Sequence, residues 1–324
     1  MIASSKIKFK ERFVFKRLLP TMLLIAIVAV LTACGNGSES SDASGKLKIT
    51  ATVGMITDVV KQVGGEHVEV TGLMKAGVDP HLYKASQGDI KKLDHADIIF
   101  YNGLHLEGKM VEILEKMSHK KTTVAVSDNI DPATLRTGAE IGLDSEYDPH
   151  IWFNVKHWMK ATETIRDTLV KQDPEHAADY ENNATEYLSQ LEQLDQEVAE
   201  KIQSIPEGSR VLVTAHDAFG YFGDAYGMKV MGLQGMSTAS EAGTKDVTDL
   251  REFLVNNHIK AVFIESSIPR KAIDAVIEGA KEKGHQVQVG GELFSDAMGE
   301  EGTPEGTYIG MVRHNVETIV HALK

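Results

Sequence analysis

Two copies of the tripeptide Asp-Pro-His occur in the chain, at Asp79-Pro80-His81 and Asp148-Pro149-His150, and His216 and Asp296 follow at the ends of two later strand-like runs. Imidazole and carboxylate are the side chains that bind divalent transition metals, and these four come from four separate segments. A proline before each of the first two histidines fixes φ and removes a backbone donor, so each imidazole is presented from a stiff turn. Such preorganisation serves a ligand and does little for a solvated side chain. His67, His95, His105, His119, His157, His176, His258, His285, His314 and His321 lack this setting, and most are expected on the surface.

Positioning four such groups requires a scaffold with several strand ends. Residues from 46 to about 130 alternate short β-branched runs with helical periodicity. Lys48–Val53 and Val68–Val70 read as strands, Met55–Val63 and 86–95 as helices, and Asp97–Tyr101 as a strand covered on both faces of a parallel sheet. Arg210–Thr214, Lys229–Met231 and Lys260–Ile264, with a helix over about 246–257, repeat the pattern. Thr123–Val126 and Gln286–Val289 are the last strands of the two halves. The expected fold is therefore α/β, with two similar βαβ lobes and mainly parallel sheets. Ligands in such sheets gather at the carboxyl ends of strands, which places the four candidates in a cleft between the lobes. Glu265, just after a strand, faces the same cleft edge and could hydrogen-bond the second nitrogen of a ligand histidine, although a plain surface glutamate accounts for it equally.

Asp173 suits an N-cap and Pro174 the first helical position. Ala177, Tyr180, Ala184, Tyr187, Leu188, Leu191, Leu194, Val198 and Ile202 then recur at helical spacing until Pro206 and Gly208. The expectation is one long linker helix along both lobes. It limits hinge bending and leaves release of a bound ion to the loops carrying Asp296 and His216. The organisation expected is 1–33, 34–45, 46–172, 173–205 and 206–324: leader, tether, first lobe, linker helix and second lobe.

The leader is read from Lys6, Lys8, Lys10, Arg12, Lys16 and Arg17, an apolar run over 18–31, and Leu31-Thr32-Ala33-Cys34. The apolar run is shorter than the roughly 20 residues of a spanning helix, so a cleaved signal peptide fits better than a membrane anchor. Small residues followed by cysteine resemble the bacterial lipobox, which implies lipid on Cys34 and a place on the extracytoplasmic face of the membrane. Cys34 is the single cysteine, so a monomer has no disulfide and the metal no thiolate. Residues 35–45, Gly-Asn-Gly-Ser-Glu-Ser-Ser-Asp-Ala-Ser-Gly, read as a flexible tether. Removing 1–33 takes away six basic residues and one acidic one, so the formal charge falls from −13 to −18. That acidity argues against a nucleic-acid partner, whose phosphates demand a basic footprint.

Asp-Pro-His twice, Thr-Ala-His-Asp-Ala-Phe-Gly-Tyr-Phe at 214–222 and Leu-Phe-Ser-Asp-Ala-Met-Gly at 293–299 resemble the metal-binding lipoproteins of bacterial manganese and zinc ABC importers. The likeness covers the lipobox and the whole mature chain. Over Gly77–Asp89 and Val211–Phe222 it is greatest to the manganese-binding lipoproteins of Gram-positive bacteria. The resemblance implies a monomeric receptor, not an enzyme, that captures one divalent ion and passes it to a permease and its ATPase. By motif match the family's metal ligands fall on His81, His150, His216 and Asp296. Some manganese receptors of this group have Glu at the third position, where this chain has His216.

By the Irving–Williams order such a site holds Zn²⁺ more tightly than Mn²⁺ whatever its cargo, so affinity does not name the ion. Zinc importers of the family carry a long His-rich acidic loop before the second ligand. Between 106 and 149 this chain has only His119, which tilts the reading to Mn²⁺, with a zinc receptor as the alternative. A secreted zinc hydrolase would need an open coordination position and a general base. Neither His-Glu-x-x-His nor a Gly-x-Ser-x-Gly turn occurs. A structural adhesin would explain the lipid but not four ligands spread over two lobes.

Overall fold

β-branched and aromatic runs become short parallel strands, each followed by a helix whose apolar stripe covers them. In the first half these are β1 (Leu47–Ala51), α1 (Gly54–Gly64), β2 (Val68–Gly72), α2 (Gln87–His95), β3 (Ile98–Tyr101), α3 (Val111–Ser118) and β4 (Thr122–Ala125). The computed structural model describes residues 45–137 and 147–324, so the leader, lipobox and most of the tether lie outside the described residues. The strands form one parallel sheet in the order β2-β1-β3-β4. Ile98, Ile99 and Phe100 are wholly enclosed, as a central strand covered on both faces requires. Ser86 starts α2 with a capping box closed by Asp89, which satisfies two otherwise orphaned amides.

The second half contains β5 (Val211–His216), α6 (Gly220–Tyr226), β6 (Lys229–Gln234), α7 (Thr244–Asn256), β7 (Ala261–Glu265), α8 (Lys271–Glu282), β8 (Gln288–Leu293) and α9 (Tyr308–Leu323). β5 pairs with β6 and β7 with β8, both parallel, and β5 lies beside β7. The spatial order β6-β5-β7-β8 repeats that of the first lobe. Apart from an isolated antiparallel bridge between Thr137 and Tyr147, the pairing among the described residues is parallel. The protein is thus an α/β fold of two similar lobes, and Lys46–Lys324 forms one compact unit.

α4 (Val155–Gln172) closes the first half, and the 27-residue α5 (Ala177–Gln203) follows it in the chain before the strands of the second half. Tyr180, Ala184, Tyr187, Leu191, Leu194, Val198 and Ile202 form the buried stripe of α5, which is about 40 Å long at 1.5 Å per residue. It packs on α1 and α4 at one end and on α9 at the other. The entry to α5 differs from the sequence expectation. Pro174–His176 is a 3₁₀ turn, and the Asp173 carboxylate accepts from His176 Nδ1 and Tyr180 Oη, both at 2.7 Å, instead of capping backbone amides.

β8 also differs, running from Gln288 through Gly290 and Gly291 to Leu293, past the expected strand end at Val289. Glycine's weak strand preference hides this. A Cβ on Gly290 would lie 2.8 Å from Phe263 and 2.9 Å from Ala322, so the strand can pass between β7 and α9 only without a side chain there.

Candidate metal centre

All four sequence candidates converge. One donor atom each from His81, His150, His216 and Asp296 lies within 4.8 Å of all the others, and all four residues are buried. His81 sits in the loop after β2 and His150 just before α4, both in the first lobe, while His216 ends β5 and Asp296 follows β8 in the second. Nε2 of His150 is 3.3 Å from Nε2 of His81 and 3.3 Å from Asp296 Oδ1. Asp296 Oδ2 is 3.3 Å from His216 Nε2 and 3.7 Å from His81 Nε2. Donors at about 2.1 Å from a common tetrahedral centre stand about 3.4 Å apart, so the spacing fits a single first-row ion.

Electrostatics point the same way. His216 Nε2 and both carboxylate oxygens of Asp296 are buried without a hydrogen-bond partner. The 3.3 Å separations of Asp296 Oδ1 from His150 Nε2 and of Asp296 Oδ2 from His216 Nε2 are ion-pair distances without hydrogen-bond geometry. Uncompensated polar atoms at such depth are costly unless a cation takes them up. Burial pushes the Asp296 carboxyl up, but facing His216 and His150 outweigh it and hold it well below its usual range. His150 would also fall on burial, yet Asp148 and Asp296 raise it to about 9. His216 is lifted well above the ordinary imidazole value by Glu265 and Asp296 against the same burial. His81, where burial dominates, drops to about 3.

The histidines are aimed from behind. Glu265 accepts from His216 Nδ1 at 2.5 Å and from its backbone N–H at 2.8 Å, so its expected place at the cleft edge becomes a double hold on one imidazole. Asp148 Oδ1 accepts from His150 Nδ1 at 2.7 Å and from His150 N at 3.0 Å. A carboxylate behind an imidazole fixes its tautomer and leaves Nε2 for a metal. Asp148 escaped the sequence reading as a working residue. The repeated Asp-x-His spacing was the available signal, because an Asp side chain bonds its own backbone two residues on. The same turn forms at Asp79 Oδ1, 2.9 Å from His81 N.

Asn102, also missed, donates from Nδ2 to Pro149 O at 2.9 Å and so grips the peptide before His150. Gly232 makes room beside His216, since a Cβ there would lie 2.4 Å from Asp217 N and 2.6 Å from His216 C. Of the other histidines, His157 is buried and donates or accepts opposite Thr134 Oγ1 at 3.1 Å, away from the cluster.

Over residues 49–322 the sequence matches the family described as ZnuA, zinc-uptake complex component A, periplasmic. The chain belongs to that family. It is 52% identical over 294 residues to the manganese-binding lipoprotein MntA of Bacillus subtilis, covering 91% of this chain and 95% of that protein. It is 49% identical over 287 residues to the zinc-binding protein TroA of Treponema pallidum, covering 89% and 92%. The solved structure of periplasmic zinc-binding TroA superposes with a TM-score of 0.83 at 48% identity, covering 86% of this chain and 99% of that one. The family is one of substrate-binding receptors of ABC importers for manganese and zinc, so the chain is not an enzyme and the hydrolase reading falls away.

Proposed function

We propose that this protein is a lipid-anchored receptor on the extracytoplasmic face of the membrane that captures Mn²⁺ and delivers it, as a monomer, to an ABC permease and its ATPase. His81, His150, His216 and Asp296 are its metal ligands, with Glu265 and Asp148 orienting two of them. The observation that carries the reading is the set of four buried donors from four segments, with Asp296 and His216 Nε2 lacking hydrogen-bond partners. Both oxygens of Asp296 border the same point, which allows a fifth donor and suits an oxygen-tolerant ion such as Mn²⁺. The similarity to manganese-binding MntA and the short stretch between 106 and 149 support the same cargo.

A zinc receptor is the second reading, favoured by the near-tetrahedral spacing and by the likeness to zinc-binding TroA. Metal analysis of protein purified from native membranes without chelators separates them, with manganese expected in excess. Zinc as the dominant metal, accumulated in cells through this system, would reverse the assignment.

In this proposal residues 1–33 are removed, Cys34 carries the lipid, 34–45 is the tether, and the lobes of 46–172 and 206–324 are joined by 173–205. Among the described residues no helix is long and apolar enough to cross a membrane. Cys34→Ala is expected to leave metal binding intact and to release the protein from washed membranes. Retention after carbonate washing would favour an uncleaved helix.

A further inference from the structure

The four groups of the centre are held very unequally. Glu265 ties His216 at both ring and backbone. His150 is tied twice by Asp148, and Asn102 holds the peptide before it. Asp296 follows Ser295, whose carbonyl accepts from Trp152 Nε1 at 3.1 Å, and Phe294, whose N and O are both bound by the Asn315 side chain. His81 differs. Asp79 reaches only its backbone N–H, and among the described residues no carboxylate bonds its ring from behind.

The second oxygen of Asp79 leaves the turn altogether. It accepts a 2.6 Å hydrogen bond from Thr238 Oγ1, which belongs to the loop between β6 and α7 in the opposite lobe. Thr238 is only 6% exposed, although Ala239, Ser240 and Glu241 beside it are open to solvent. Met236, also buried, anchors the root of this loop. The hydroxyl therefore spans the cleft from an otherwise exposed loop to the carboxylate that shapes the His81 turn.

We propose that Thr238 is a positioning residue for the captured ion, latching the His81 turn across the cleft so that release begins when the Thr238–Asp79 bond opens. This rests on the reading of His81 as a ligand. It moves the weak point from the loops of Asp296 and His216, where the sequence put it, to the one ligand imidazole with no carboxylate behind its ring among the described residues. The ion leaves through loss of its His81 donor while the other three stay in place.

Thr238→Val keeps the shape and removes the hydroxyl, and Thr238→Ser restores it. The Mn²⁺-loaded proteins are mixed with excess chelator, and release is followed by the fluorescence of Trp152, whose ring lies 5.3 Å from that of His150. Release is expected to be roughly tenfold faster in the Val variant, the scale of one charge-assisted hydrogen bond, and near wild type in the Ser variant. Both metal-free variants should stay folded, with the Val variant melting somewhat lower because Asp79 Oδ2 loses its donor and the Ser variant near wild type. Wild-type release from the Val variant, or equal acceleration in both variants, overturns the latch while leaving the receptor reading intact. Failure of the wild-type protein to bind Mn²⁺ or Zn²⁺ overturns both.

Discussion

The two Asp-Pro-His turns have the same sequence and different surroundings. Asp148 spends one oxygen on both the backbone and the ring of His150. Asp79 gives one oxygen to the backbone of His81 and the other to Thr238 in the facing lobe. One imidazole is consequently raised to about 9 by its carboxylate neighbours, while the other is pushed down by burial to about 3. A repeated motif thus fixes the backbone turn in both places, and the wider fold decides whether the ring is clamped or left to move.

The largest effect should treat the two turns alike. His81→Ala and His150→Ala, like His216→Ala and Asp296→Ala, are expected to lower metal affinity by orders of magnitude in calorimetric titration, whereas His119→Ala leaves it unchanged. An alanine at His81 that preserved the metal-induced rise in melting temperature would remove His81 from the ligand set and end the comparison.

A smaller effect should separate the turns. Asp148→Asn removes the carboxylate behind His150 and is expected to cost roughly 10- to 100-fold in affinity. Asp79→Asn should change equilibrium affinity far less and show itself in faster release. Equal losses of affinity in the two variants would mean that clamping the ring is unimportant.

The subtlest distinction is in pH. His150 has a folded value of about 9 against an ordinary 6.5. Its contribution to the metal-free fold is therefore full below 6.5 and is lost as pH rises toward 9. His81, at about 3, works in the opposite sense and weakens the fold as pH falls below 6.5. The melting temperature of metal-free protein should decline on both sides of 6.5. Asp148→Asn should flatten the alkaline side only in part, since Glu265 and Asp296 also raise His216. Metal affinity should climb over the same alkaline window, because the ion displaces these protons. An alkaline limb unaltered by Asp148→Asn would assign it to other groups.

Much of this was legible in the chain because hydrophobic period and turn chemistry are local. The α5 stripe from Tyr180 to Ile202 and the enclosed β3 run could be read directly, and the four candidate donors do come together. What escaped depended on partners distant in sequence. Nothing near Thr238 announces Asp79, and nothing near Asn102 announces Pro149, because the fold alone brings each pair together. Gly290 and Gly291 misled for a related reason, since the close approach of Phe263 and Ala322 that demands small residues there is tertiary. Helices α3, α8 and α9 completed the layers beyond the elements expected. Thr307 capping α9, with Met311, Val312, Val316 and Ile319 buried behind it, was a readable local signal for the last of them.

The apolar interior is divided unequally, and this bears on how the molecule would come apart. One continuous cluster runs from Val59 and Phe100 through Leu191 on α5 to Tyr221 and Met311, crossing both lobes. Val213, Leu233, Leu250, Leu254, Ile259, Val262, Ile273 and Val276 form a separate, smaller cluster beneath α7 and α8. Neither lobe can then melt as an independent unit, whereas the α7–α8 layer has a core of its own to lose. Amide exchange should be fastest in those two helices and slowest at the middle of α5, so that heat first peels the second lobe from outside while the walls of the cleft persist.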